Sequence, residues 1–229
     1  MERVIIAGSR GLIGTEITKY LKSYNITYDV IELDLQLGHD LNDEGFVKDW
    51  FSKNKADYLI NLFALNDHVN KDRDDVVQDL FNFTLESFKN YLDVNIVSLF
   101  SVCREFARNN KIGSIINFSG LYGLVSPQPA MFPTNKKHVG YCVSKAGVVL
   151  LTRYLATHLA PNIRVNCLVP GGVLHKQPED FLKEYGSRVP MGRMMNVSEL
   201  NGIIKYLCSE DSSYVTGSVF NIDGGWTTI

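Results

Sequence analysis

No apolar run in this 229-residue sequence is long enough to cross a bilayer, so a helical membrane span is not expected. Cysteine is scarce. Cys103, Cys142, Cys167 and Cys208 are scattered without metal-ligand spacing, so no metal centre is expected and a reduced cytoplasm fits best. Three of the four stand among apolar residues and read as small packing groups. Charge is nearly balanced. A net value of −2 gives no electrostatic case for nucleic acid or an acidic membrane as partner. The short clusters Asp72-Arg73-Asp74-Asp75 and Lys136-Lys137 read as solvated loops. There is no low-complexity linker, and no repeat beyond an alternation of strand and helix. An apolar strand is expected from Val4 with a glycine-rich turn directly behind it, so no secretory leader is expected.

What is present is a core. Apolar residues make up 45% of the chain, enough to cover both faces of a sheet with helices in one domain spanning 1–229. Strands are expected near 3–7, 28–33, 57–62, 113–119, 162–168 and 218–222. Helices are expected near 12–23, 43–53, 84–109, 140–160, 178–185 and 198–208, with Thr84 and Ser198 among the capping residues. Residues 66–83 form a polar, acidic connection longer than strand–helix links usually are, and such lengths tend to be functional or mobile.

The first strand runs into Gly8-Ser9-Arg10-Gly11-Leu12-Ile13-Gly14 and then an amphipathic segment. A glycine-rich turn between strand and helix lets backbone N–H groups approach a pyrophosphate at the positive end of the helix. About twenty residues on, a second apolar strand ends at Asp34, placed to hydrogen-bond the hydroxyls of an adenosine ribose. Arg10 would welcome a 2′-phosphate and Asp34 would repel one. NAD is therefore favoured, with NADP possible.

Tyr141 and Lys145 lie four residues apart in a helical stretch, on one face. A phenol ionises near pH ~10 and is a poor acid or base until a neighbouring cation lowers that value. Hydride chemistry at an alcohol or carbonyl needs such a group, because a proton moves with the hydride.

Together these features resemble the short-chain dehydrogenase/reductase family over essentially the whole chain. The resemblance implies a Rossmann-like α/β/α sandwich with a doubly wound parallel sheet. It also implies an NAD(P)-dependent oxidoreductase in which Tyr141 is acid/base and Lys145 tunes it and holds the ribose. Asp40-Leu41 matches an acidic–apolar pair that follows the family's third strand and contacts adenine. Asn61, in Asn61-Leu62-Phe63-Ala64, keeps the first residue of the motif closing the fourth. Asn95 matches a helix asparagine whose backbone carbonyl helps hold a water near the lysine. Pro170, Gly171 and Val173 fall in the exit turn of the sixth strand, against the nicotinamide, and Tyr214-Val215-Thr216-Gly217 and Asn221-Ile222-Asp223-Gly224-Gly225 match the C-terminal strand.

Two departures stand out. The glycines are spaced Gly-x-x-Gly-x-x-Gly, a pattern more typical of the branch acting on nucleotide sugars. The family's substrate-orienting serine falls on Gly120. Ser119 remains as a catalytic candidate, but neighbouring side chains at a strand end face opposite ways, and its default partner is backbone. Tyr122, Ser126, Thr134 and His138 stand close enough in sequence to replace the missing hydroxyl, although a histidine in so polar a loop is usually just solvated.

The resemblance makes residues 175–195 the segment that covers a small-molecule substrate, with His175 where a threonine often holds the nicotinamide amide. Phrases around Val169-Pro170-Gly171-Gly172-Val173 and Gln177-Pro178-Glu179 are similar to flagellin-modification members, which make activated sugars. The substrate would be a secondary alcohol or ketone, such as a sugar phosphate or nucleotide sugar. The alternative is a catalytically impaired cofactor-binding partner, suggested by Gly120. The long helices at 84–109 and 140–160 pair across two-fold axes in the family, implying a homodimer or homotetramer.

Overall fold

The computed structural model describes residues 1–23, 28–66, 79–132 and 136–229. Thr134 and most of the long polar connection lie outside these residues. Strands β1 (Glu2–Ala7), β2 (Tyr28–Leu33), β3 (Tyr58–Asn61), β4 (Gly113–Phe118), β5 (Ile163–Pro170) and β6 (Val219–Ile222) form one sheet. All five pairings are parallel, in the order β2-β1-β3-β4-β5-β6. The chain leaves β1 outward to β2 and returns to β3 on the other side of β1. That reversal opens a crevice at the carboxyl ends of β1 and β3, where the glycine turn lies.

Strand alternation builds the two cores. Ile5, Leu59, Ile115 and Val165 face one side and pack with Phe51, Val102, Phe106, Val148 and Leu155. Val4, Ile6, Ile60, Ile116 and Leu168 face the other and pack with Ile17, Leu21, Leu200, Ile204 and Leu207. Both faces are covered, so the strands read as continuous apolar runs. The helices are α1 (Leu12–Leu21), α2 (Glu44–Lys53), α3 (Leu85–Leu92), α4 (Ser98–Asn109), α5 (Val139–Leu159), α6 (Glu179–Arg188) and α7 (Asn201–Leu207).

Three expectations need correction. The helix expected over 84–109 is two helices, α3 and α4, joined by a wider π-type turn, Asp93–Val97. The start expected at Ser198 is capped instead by Asn196, which exchanges hydrogen bonds with Glu199 across a single 3-10 turn. No strand precedes Asp40 other than β1 and β2 among the described residues, so Asp40-Leu41 follows the second strand rather than a third. Between β2 and α2 the chain spends only a 3-10 turn, Leu35–Leu37, closed by Gly38 at φ 82°. Every strand from β3 on therefore carries a number one lower than the family resemblance assigns it.

Candidate active site

The glycine turn is shaped by backbone contact. Gly8 sits at φ 87°, and a Cβ there would lie 2.5 Å from the amide nitrogen of Phe63. At Gly14 a Cβ would lie 2.1 Å from the carbonyl oxygen of Gly8, so α1 starts hard against the turn. Gly11 differs: a Cβ there meets nothing nearer than 3.5 Å, and the residue is exposed. Gly11 caps α1 without any side-chain hydrogen bond, and the first turn holds no acidic residue. The amide end of α1, including Leu12 and Ile13, is thus open on one side and carries no acidic residue of its own. That donor set suits a pyrophosphate.

Asp34 ties this turn to β2. One carboxylate oxygen accepts from the Arg10 amide at 2.8 Å and the other from the Gln36 amide at 2.8 Å. The Arg10 guanidinium reaches Glu32 at 3.0 Å. Ser9 is buried beneath the turn. Asp40 is exposed and closes a short turn onto the Asn42 amide, while Leu41 packs into the core against the α2 side.

Lys145 and Ser119 lock α5 to the end of β4. The Lys145 ammonium donates to the Phe118 carbonyl at 2.8 Å, and the Ser119 hydroxyl donates to the Lys145 carbonyl at 2.7 Å. Ser119 is therefore a positioning residue here and not a catalytic one. Asn61 also departs from its expected cofactor role: its side chain is buried, donating to Asn117 at 2.8 Å and to the Cys103 sulfur at 3.3 Å. Asn117 passes the chain on to Thr152 of α5 at 3.0 Å.

Asn95 lies in the π-type turn and acts through its side chain. It accepts from the Leu65 amide at 2.7 Å and donates to the Ser144 hydroxyl at 2.9 Å. Ser144 in turn donates to the Tyr141 carbonyl at 2.8 Å. Loop, π-type turn and α5 are thereby clamped where Tyr141 begins the helix, and π-type turns often mark functional sites.

Among the described residues, four groups flank Tyr141. Tyr91 meets its ring edge-on, at 6.4 Å between centroids. The Lys137 ammonium stands 4.0 Å from the ring centroid and the Lys145 ammonium 5.9 Å from it, both within cation–π range. Gly120 is the fourth: a Cβ there would sit 3.1 Å from the Tyr141 hydroxyl. The position expected to carry the missing serine does point at the phenol. Burial pushes the Tyr141 phenol up. Burial also pulls Lys145 down to about 8. The lowering of Tyr141 by Lys145 expected from the sequence is not found, since burial and, after it, Cys142 both raise the phenol, and Lys145 is the member of the pair that titrates nearer neutrality.

His138 is not a solvated loop residue. It is buried, and its Nδ1 accepts from the Gly140 amide at 3.0 Å, capping α5. Its Nε2 meets the Ser87 hydroxyl at 2.9 Å, and its ring stacks on Tyr91. The clue in the sequence was its place directly before a helical run, the N-cap position. His175 is exposed, with its amide donating to Gln177 at 2.8 Å.

Val173 and Met195 pair as a parallel bridge, so the segment from 175 to 195 leaves and returns at one point. Gly171 donates to Ile222 at 2.9 Å and fixes the turn after Pro170. From α6, the Tyr185 hydroxyl accepts from the Gly172 amide at 2.7 Å, a latch on that turn which the sequence reading missed. Through Phe181 and Tyr185 this segment joins a chain of ring contacts with Tyr122, Phe132 and Trp226.

The comparisons decide the family. Residues 19–227 match the family model described as enoyl-(acyl carrier protein) reductase. This chain belongs to the short-chain dehydrogenase/reductase family. The chain is 28% identical to a 3-oxoacyl-acyl-carrier-protein reductase of Aquifex aeolicus, over 97% of this chain and 86% of that one. A short-chain type dehydrogenase/reductase of Sinorhizobium fredii is 34% identical over 63% of this chain, but the match spans only 27% of that longer protein. Among solved structures, a short-chain dehydrogenase of Leptospira borgpetersenii with bound NAD+ superposes with a TM-score of 0.83 at 29% identity, covering 99% of this chain and 92% of that one. This short-chain dehydrogenase/reductase thus shares its fold along its full length with a dinucleotide-bearing relative.

Proposed function

We propose that this short-chain dehydrogenase/reductase is an NAD-dependent oxidoreductase that interconverts a secondary alcohol and a ketone. The observation carrying this is the Tyr141 phenol facing Gly120 at the end of β4, with Lys145 behind it and, beyond β3, an α1 N-terminus at the end of β1 that no side chain caps. When bound, the nicotinamide supplies the hydride donor or acceptor. Gly8, Ser9, Arg10, Gly11, Leu12, Ile13 and Gly14 would hold the pyrophosphate end of the dinucleotide, Asp34 and Asp40 the adenosine end, and Pro170, Gly171 and Val173 the nicotinamide end. As the phenol, Tyr141 gives its proton to a ketone oxygen, and as the phenolate it takes one from an alcohol. Lys145 stabilises the phenolate form and would contact the ribose of a bound dinucleotide. Asn95 keeps Tyr141 in place through Ser144. The impaired, non-enzymatic alternative has no support, since neither Tyr141 nor Lys145 is turned out of the site.

For the substrate we favour a phosphorylated or nucleotide-linked sugar. The Lys137 ammonium, which donates to Asn66, places a positive charge beside the Tyr141 ring, and Gly120 puts no side chain next to the phenol. The test is a titration with NADH and NADPH followed by a screen of such sugars against their uncharged parents. Lys137→Met should raise KM for the charged substrate about tenfold while leaving its uncharged parent alone. Turnover confined to uncharged alcohols would defeat this reading.

A cytoplasmic, one-domain protein that assembles as a homodimer or homotetramer completes the proposal. Val143, Leu150 and Tyr154 of α5 and Phe100 of α4 are exposed. Spaced seven and four apart, the three α5 residues form one apolar stripe, which a second copy would cover. Light scattering should give two or four protomer masses at micromolar concentration; a single protomer mass independent of concentration would contradict the assembly.

A further inference from the structure

Glu32 occupies a position that nothing in the catalytic reading uses. It lies on β2, two residues before Asp34 and so on the same face of the strand. One carboxylate oxygen pairs with the Arg10 guanidinium at 3.0 Å and the other with the Lys22 ammonium at 2.8 Å. The Glu32 side chain is 18% exposed, whereas those of Arg10 and Lys22 are each 47% exposed, so the acid sits under two more accessible cations. Asp34, the acid expected to choose the dinucleotide, spends both oxygens on backbone amides that shape the turn.

Resting on the dinucleotide reading above, we infer that Glu32 is a specificity-determining residue. By holding Arg10 and Lys22, it withholds the cations that a 2′-phosphate would require. The division of labour is physical. Asp34 fixes the geometry of the turn, and Glu32 sets the net charge beside it. A 2′-phosphate would bring close to two negative charges against a cluster in which Glu32 and Asp34 already balance Arg10 and Lys22. Removing one negative charge leaves that cluster net positive without disturbing the amide contacts of Asp34. The Glu32 carboxyl is held below the usual carboxylate range, chiefly by the Lys22 hydrogen bond, so its charge is present throughout the neutral range.

The experiment is fluorescence or calorimetric titration of the full chain with NADH and with NADPH, using Glu32→Gln, Arg10→Gln and the double variant. Glu32→Gln should tighten NADPH by about tenfold while NADH changes less than twofold, and the gain should shrink as salt rises. In the double variant the gain should disappear. Arg10→Gln alone should leave the NADPH to NADH affinity ratio within about twofold of wild type, because Glu32 already neutralises its guanidinium, even if the change to the turn weakens both dinucleotides together. An unchanged ratio in Glu32→Gln would overturn the inference, as would a large fall in that ratio in Arg10→Gln. Should Glu32→Gln fail to fold, the ratio in Arg10→Gln still decides. Failure of the underlying reading looks different: wild type would then bind neither dinucleotide.

Discussion

Tyr141→Phe should lower turnover by about 10² to 10⁴ while leaving NADH affinity within twofold of wild type. The change removes the only hydroxyl on the ring that Lys137 and Lys145 flank, and it keeps the ring, so the Tyr91 and Lys137 contacts survive. The hydroxyl's loss takes away a proton and nothing that the backbone clamp through Ser144 depends on. The pH profile carries the same assignment. With the phenol pushed up, its protonated form is present across the neutral range, so kcat/KM for ketone reduction should be flat below about pH 8. Above that value Lys145 loses its charge and the rate should fall. Alcohol oxidation needs the phenolate and should instead rise with pH over the same neutral range. Turnover that survives Tyr141→Phe would remove the phenol from the mechanism.

Gly120→Ser is the second large effect. A Cβ at this position would lie 3.1 Å from the Tyr141 hydroxyl, closer than such atoms normally approach. The phenol has little freedom to give way, because α5 is fixed by Lys145 on Phe118, by Ser119 on Lys145 and by the His138 cap. A shift of about 1 Å at reacting atoms costs around 10² in rate, so a displacement of a few tenths should cost roughly tenfold in kcat/KM. Gly120→Ala gives the steric part alone. If Gly120→Ser instead raises kcat/KM well above wild type, the glycine is an impairment and the added hydroxyl has repaired it.

Much of this was legible in the sequence, for reasons that can be named. The buried strands show as apolar runs because both sheet faces are covered, and the glycine turn shows because Gly8 and Gly14 press on backbone where no side chain fits. Tyr141 and Lys145 were readable because helical spacing alone puts them on one face. What the sequence hid was side-chain direction. Ser119 and Asn61 have the right types at the right places, yet both point at protein partners, and residue type does not record a rotamer. The π-type turn was invisible because one extra residue in a helical turn changes no periodicity that a short window detects. Glu32 escaped notice because its significance depends on Arg10 and Lys22, which are distant along the chain and adjacent only in the fold.

Among the described residues β2 pairs with β1 alone, which puts the proposed adenosine end of the site on the outer margin of the sheet. Tyr141 and Lys145 are anchored instead to β4, in the interior of the strand order. Selection acting on the margin can exchange one coenzyme for another without disturbing the proton-transfer machinery. The two properties are able to evolve on separate schedules within a single chain.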